Sequence, residues 1–279
     1  MKAKLVALLK LTRPMNAFSG ALAVILGGYV AGTGAWDRVA LAAAATALIT
    51  GAANAWNDYL DIDTDRINQP QRVLPAGMIS PAAAVNLSLG LTALGLILAA
   101  LVGPATFLIA AAASLLLYLY SWKLKSSVLL GNAVVALTSA MSAVFGGVAA
   151  GNARPTFWLA LIILTAIMGR EVLKTLADYE GDLRQRVRTI ATTWGRRPAR
   201  MAFYGFTAAT VWVMMLPYLL KVYQPIYAYV VAFGVYPMIL YALTKVHRNA
   251  SSRQLERVSQ LMKLDFLVWF VAVLLGAAG

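Results

Sequence analysis

Cysteine is absent from all 279 residues, which excludes disulfides and thiolate metal sites. Charge is scarce: 13% of residues are charged against 61% hydrophobic, and the mean hydropathy is +0.72. A soluble domain is about half apolar and about a quarter charged. This chain therefore has too little polar surface to cover a water-soluble globule of its size. Histidine occurs once, at His247 in a basic stretch, and no role is assigned to it. Alternating polarity, the mark of a membrane β-barrel, is missing, and the apolar stretches are continuous. These absences leave an all-α, polytopic integral membrane protein.

Apolar windows of roughly 17–25 residues signal membrane spans. About nine are expected, near 15–34, 39–57, 82–102, 104–122, 128–150, 156–177, 201–220, 225–244 and 262–278, arranged around a central cavity. The first follows Lys2, Lys4, Lys10 and Arg13 and starts like a signal peptide. No small-residue cleavage site and soluble domain follow, so it is read as a span. Short breakers at Gly103-Pro104 and 221–224 suit helical hairpins.

The basic residues sort by side. Nineteen of the 24 fall at the N-terminus and in the stretches after the second, fourth, sixth and eighth spans. Arg38, Arg154 and Lys221 fall on the other side, and Arg170 and Lys174 lie within the sixth span. Basic residues concentrate in cytoplasmic loops, which places the N-terminus and the loops after even-numbered spans in the cytoplasm and the C-terminus outside. The net charge of +13 is read as this bias, with no nucleic-acid partner expected.

Eight of the eleven acids form two clusters. Asp58, Asp61, Asp63 and Asp65 follow the second span; Glu171, Asp178, Glu180 and Asp182 close the sixth. On a continuing helix Asn54, Asn57/Asp58, Asp61 and Asp65 share one face, and so do Glu171, Lys174, Asp178 and Asp182. Carboxylates on one face repel unless something positive stands between them. Mg²⁺ chooses carboxylate and amide oxygens and binds through a few carboxylates plus substrate phosphates, so two such helix ends suit two or three ions and a diphosphate. Arg66, Arg72, Lys125, Lys174 and Arg188 lie near the clusters in sequence or in the loop after the fourth span, and cations are what phosphate oxygens need. The order of span, acidic end, basic loop and hairpin occurs twice, so the chain is read as one domain, 1–279, of two pseudo-repeated halves, roughly 1–127 and 128–279.

Plainer readings apply elsewhere. An acidic run at a helix end is most often a solvated face offsetting neighbouring Lys and Arg; two matched clusters holding most of the acids argue against that here. The 184–200 stretch is a basic loop touching anionic lipid, apart from Arg188. Aromatic residues at span ends are interfacial anchors. Gly27-Gly28 and Gly146-Gly147 allow close helix packing. Arg170 and Glu171 inside a span are costly unless paired or facing a wet cavity.

The motifs resemble those of the UbiA superfamily of intramembrane prenyltransferases. The first signature, N-D-x-x-D-x-x-x-D, is Asn57-Asp58-Tyr-Leu-Asp61-Ile-Asp-Thr-Asp65, followed by a family-like stretch from Arg66 to Gly77. The second, D-x-x-x-D, is Asp178-Tyr-Glu-Gly-Asp182. An R-P-x-N element stands at Arg13-Pro14-Met15-Asn16, and a Tyr/Lys element at Tyr120–Lys125. The stretches 169–182 and 129–132 look most like the ether-lipid branch, which transfers a geranylgeranyl group to geranylgeranylglyceryl phosphate. Thr175, Val73 and Val187 depart from that branch's usual Asp, Pro and Gly.

The resemblance implies nine helices and a Mg²⁺-dependent transfer from a prenyl diphosphate, geranylgeranyl diphosphate being expected, to a lipophilic acceptor within membrane lipid. It implies Asn57, Asp58, Asp61, Asp65, Asp178 and Asp182 as metal ligands. Asp61, Asp65, Asp178 and Asp182 would be catalytic. Arg66, Arg72, Lys125, Lys174, Arg188, Asn57 and Tyr120 would bind substrate, and Arg13 and Asn16 the acceptor. An aromatic acceptor, such as a quinone or chlorophyll precursor, shares these motifs. A transporter would instead place its acids near the bilayer midplane on broken helices.

Overall fold

The computed structural model describes residues 2–277, and among them no strand occurs. Among the described residues eight helices are long and apolar enough to cross a membrane: Trp36–Leu60, Pro81–Val102, Pro104–Trp122, Leu130–Ala149, Arg154–Ala177, Arg196–Leu219, Pro225–Lys245 and Ser252–Gly276. The first expected span is a shorter apolar helix, Pro14–Val30. The protein is a multi-pass membrane protein.

Three boundaries differ from the expectation. Residues 2–12 form a separate helix, α1 (Lys2–Thr12). It exposes Leu5, Val6 and Leu9 and buries Ala7 and Leu11; its short apolar pattern interrupted by lysines hides in a search for spans. The seventh span begins at Arg196 and the ninth at Ser252. Arg196, Arg197, Arg200, Arg253, Arg257 and Lys263, expected in loops, are thus helical. A hydropathy window stops where charge begins, whereas the backbone continues its hydrogen bonds. The last expected residue of the ninth span, 278, lies outside the described residues.

The chain forms two compact units, Met1–Leu124 with Ser142–Pro155, and Lys125–Met141 with Thr156–Gly279. The first holds α1, α2 (Pro14–Val30), α3 (Trp36–Leu60), α4 (Ile62–Asn68), α5 (Pro81–Val102), α6 (Pro104–Trp122) and the end of α7 (Leu130–Ala149). α3 is its centre and packs on α1, α2, α5 and α6. Its buried face is mostly small: Ala42, Ala43, Ala45, Ala52 and Ala55. Small residues let helices approach closely where lipid supplies no hydrophobic drive between them. Gly95 on α5 shows it, because a Cβ there would stand 2.7 Å from Ile49 Cγ1. Ser88 donates to the Ala52 carbonyl (2.9 Å) and shares a hydrogen bond with Tyr118 (2.7 Å), tying α3, α5 and α6.

Gly27 and Gly146 allow the close helix packing expected of them. A Cβ on Gly27 would lie 2.0 Å from the Ala143 carbonyl oxygen, and one on Gly146 1.9 Å from that of Val24.

The second unit holds the start of α7, then α8 (Phe157–Ala177), α9 (Tyr179–Arg184), α10 (Ile190–Thr193), α11 (Arg196–Leu219), α12 (Pro225–Val230), α13 (Tyr236–Lys245) and α14 (Ser252–Gly276). α8 packs on α11 and α14. Its core gathers Val172, Leu173, Leu176, Phe203, Val246 and Leu255. A π-helical turn, Val231–Val235, joins α12 to α13 within one span. Tyr227 and Tyr236 donate to the Met214 and Val211 carbonyls (2.8 and 2.6 Å), pinning that span to α11.

Candidate active site

Each acidic motif is built the same way. α3 ends at Leu60; Asp61 takes φ −94°, ψ 4°, and α4 resumes at once. α8 ends at Ala177; Asp178 takes φ −88°, ψ 3°, and α9 resumes at once. In both, the amide four residues on donates to the break residue's carbonyl: Asp65 N to Asp61 O at 2.7 Å, and Asp182 N to Asp178 O at 2.9 Å. The break bends the path without ending it, so acids at i and i+4 stay on one side. The spacing alone predicts one continuing helix; the breaks fall at Asp61 and Asp178, and neither side chain caps the helix that follows.

In the first unit, Asn57 Nδ2 donates to Asp61 Oδ2 (2.9 Å). Asp58 and Asp65 are buried. Arg72 Nη1 donates to Asp65 Oδ2 at 2.8 Å and stands 3.9 Å from Asp58 Oδ1. Gln69 accepts from Arg72 Nε (2.7 Å) and steadies the guanidinium. Arg13 pairs with Asp58 from a left-handed backbone, φ 48°, in the one-residue link between α1 and α2. Asn54 Nδ2 donates to the Thr12 carbonyl (3.0 Å) and holds that link against α3. Arg66 is not drawn in: it faces solvent and pairs with Asp63 (2.8 Å). Asn16 is exposed near the start of α2, and Tyr120 is half-buried near the end of α6.

In the second unit, Glu171 is buried. It accepts from Lys174 Nζ with both oxygens (3.0 Å each) and from Arg170 Nη1 (3.3 Å). The sequence-level requirement that Arg170 and Glu171 be paired is met. Ser126 Oγ accepts from the Arg188 amide (3.2 Å), bringing the turn that carries Lys125 beside Arg188. Desolvation raises the Asp178 pKa although the residue as a whole is exposed; Lys174 pulls it down, and Glu256 and Glu171 add to the rise. Desolvation, and then the charge of Asp178, push Asp182 up to about 6.

The acids fit a divalent cation. Among the described residues no three of His, Cys, Asp and Glu are gathered into a ready metal set. Mg²⁺ commonly uses one or two carboxylates and completes its shell from phosphates and water, so pairs suffice. A carboxyl raised by burial and by a second carboxyl is short of positive charge, which a bound cation would supply. In the first motif Arg13 and Arg72 already stand at the acids.

This contrast gives a stability prediction. Arg72→Ala strands the buried Asp65 carboxylate and is expected to cost about 2–3 kcal/mol, read as a lower melting temperature in detergent. Arg66→Ala breaks an exposed pair worth about 0–1 kcal/mol and is expected to leave the melting temperature nearly unchanged.

Residues 20–277 match the family model of the UbiA prenyltransferase family. The chain belongs to that family. This UbiA chain is 33% identical over 269 residues to a digeranylgeranylglyceryl phosphate synthase of Methanopyrus kandleri, covering 96% of this chain and 99% of the relative. A synthase of the same name from Thermococcus gammatolerans is 33% identical over 273 residues, covering 97% and 98%. A solved structure from work on digeranylgeranylglyceryl phosphate synthase in membranes superposes with a TM-score of 0.80 at 28% identity, covering 99% of both chains. A UbiA homologue from Archaeoglobus fulgidus, solved bound to GPP and Mg²⁺, shares the fold with a TM-score of 0.73 at 19% identity, covering 96% and 99%.

The Arg13–Asp58 pair is not legible in the sequence, whose family resemblance implies an acceptor contact for Arg13. The partners are 45 residues apart, and no local signal links them. The outward turn of Arg66 did have one: Asp63 precedes it by three residues, a helical ion-pair spacing.

Proposed function

We propose that this UbiA protein is a Mg²⁺-dependent prenyltransferase that moves a geranylgeranyl group from its diphosphate to geranylgeranylglyceryl phosphate. The main support is that two matched acid motifs, each with cationic side chains nearby, stand on a chain that matches relatives named for this product along nearly its whole length. The protein sits in the cell membrane with its N-terminus and motif loops in the cytoplasm, as the nineteen-to-three split of basic residues supports.

Asn57, Asp58, Asp61 and Asp65 in the first motif, and Asp178 and Asp182 in the second, are the groups that would hold Mg²⁺. Bound there, the ion offsets charge developing on the leaving diphosphate. Arg72, Lys125, Lys174 and Arg188 add positive charge and hydrogen bonds to the phosphate oxygens. Lys174 is partnered by Glu171 (3.0 Å), and its charge also acts on Asp178. Arg66, paired outward, is a weaker candidate. The allylic carbon gains cationic character as its bond to the diphosphate breaks, and the acceptor hydroxyl captures it. Asp61 or Asp65 takes the hydroxyl proton. Arg13, Asn16 and Tyr120 are candidates for contacts to the substrates.

The test offers labelled geranylgeranyl diphosphate and Mg²⁺ to purified protein with geranylgeranylglyceryl phosphate or 4-hydroxybenzoate. Transfer to the glyceryl phosphate alone, stopped by EDTA, is expected. Transfer to the aromatic alone would keep the chemistry and overturn the acceptor. Metal-independent transfer would overturn the role given to the acids.

A further inference from the structure

One acid of the second unit lies away from the motif. Asp265 sits thirteen residues past the start of α14 at Ser252, about 20 Å along the helix at 1.5 Å per residue. Only 7% of the residue is exposed, and its Oδ1 is buried with no hydrogen-bond partner. It lines a cavity with Gly169 of α8, Thr207, Thr210 and Met214 of α11, and Val235 of the π turn. Gly169 precedes Asp178 by nine residues, about 14 Å along α8, so this cavity is set apart from the acid motif. An ionisable side chain within a span is costly and points to a function.

One N–H lines this cavity, that of Trp269, and it is given to the Tyr227 hydroxyl (3.3 Å); the other polar side-chain atoms accept. Thr207 Oγ1 donates its hydrogen to the Phe203 carbonyl and Thr210 Oγ1 to that of Phe206, both at 2.8 Å. A hydroxyl has one hydrogen, so what each presents beyond that bond is lone pairs; a carboxylate presents nothing else. Most of the remaining lining is apolar, with Ala166, Ile239 and Phe266 among it. The π turn adds a widened stretch of backbone, a feature that recurs at functional sites. Carboxylate and hydroxyl oxygens with no hydrogen to give are completed by a cation. One carboxylate balances one positive charge. The nearest charged neighbours in sequence, Arg170 beside Gly169 and Lys263 on α14, are themselves cationic, and Arg170 is engaged with Glu171 and the Ser259 carbonyl. A divalent ion would leave excess positive charge inside the bundle.

We propose that Asp265, with the hydroxyl oxygens of Thr207 and Thr210, forms a buried site for a hard monovalent cation, Na⁺, separate from the acid motifs. The full chain in detergent, without Mg²⁺ or prenyl diphosphate, is titrated with NaCl while N-methyl-D-glucamine chloride holds ionic strength constant. The melting temperature is expected to rise by roughly 5–10 °C when Na⁺ reaches a hundredfold excess over its dissociation constant. Asp265→Asn is expected to abolish the rise. Thr210→Val is expected to move it to at least about tenfold higher Na⁺, the loss of one ligand. Asp61→Ala and Asp182→Ala are expected to keep it, which separates this site from the motifs. A wild-type curve flat in Na⁺, or a rise that survives Asp265→Asn, overturns the proposal. Should Asp265→Asn fail to fold, the wild-type titration and Thr210→Val decide.

Discussion

Asp61→Asn and Asp182→Asn are each expected to lower kcat/KM by about 10²- to 10³-fold, the loss of one preorganised electrostatic group at a developing charge. That corresponds to about 3–4 kcal/mol of transition-state stabilisation. The two positions are chosen because amide for carboxylate keeps size and removes charge. Asp61 stands at the break between α3 and α4 and accepts from Asn57 at 2.9 Å, a bond that an amide oxygen can still accept. Asp182 lies four residues past the break at Asp178, with its pKa pushed up to about 6. A neutral side chain there relieves repulsion, so Asp182→Asn is expected to melt at or slightly above the wild-type temperature without metal. Activity and stability thus move apart. The check is steady-state turnover against Mg²⁺ concentration, with melting in parallel. A variant that keeps most of its turnover would remove its residue from the metal-holding set.

Gly146→Ala is expected to prevent the first unit from assembling. The added methyl would sit 1.9 Å from the Val24 carbonyl oxygen and 3.0 Å from the Gly28 amide. Both are backbone atoms, so no rotamer change makes room and the helices must separate. Overpacking of that kind costs about 3 kcal/mol or more, and separation also loosens Gly28 from Val39, where a Cβ would already meet a methyl at 2.7 Å. Gly90→Ala is the control: a Cβ there meets nothing within 4 Å, and Ala favours helix over Gly by about 1 kcal/mol. Size-exclusion profiles and melting curves of the two variants should diverge in opposite directions from wild type.

Much of this was legible in the sequence because hydropathy and side-chain period act locally. The spans follow from apolar length, and the Gly27 and Gly146 contacts follow from paired glycines within apolar runs. The shared face of Asn57, Asp61 and Asp65 follows from their spacing. What escaped depends on distance along the chain or on backbone detail. The one-residue breaks at Asp61 and Asp178 are set by local φ and ψ. Arg13 reaches Asp58 only because α1 and α2 fold back along α3. The π turn at Val231–Val235 leaves no compositional mark. Asp265 did leave one, an acid within an apolar run.

The direction in which α3 and α8 run carries a further consequence. Both reach their acid motif with the carboxyl-terminal end of a long helix, where aligned peptide dipoles amount to about half a negative charge. Many phosphate sites use the opposite end, whose amides welcome an anion. If the motifs hold the diphosphate as proposed, peptide carbonyls and carboxylates alike would repel it when bare. Its capture would then be tied to the cation it brings, so that free pyrophosphate, without Mg²⁺, should compete poorly for the site.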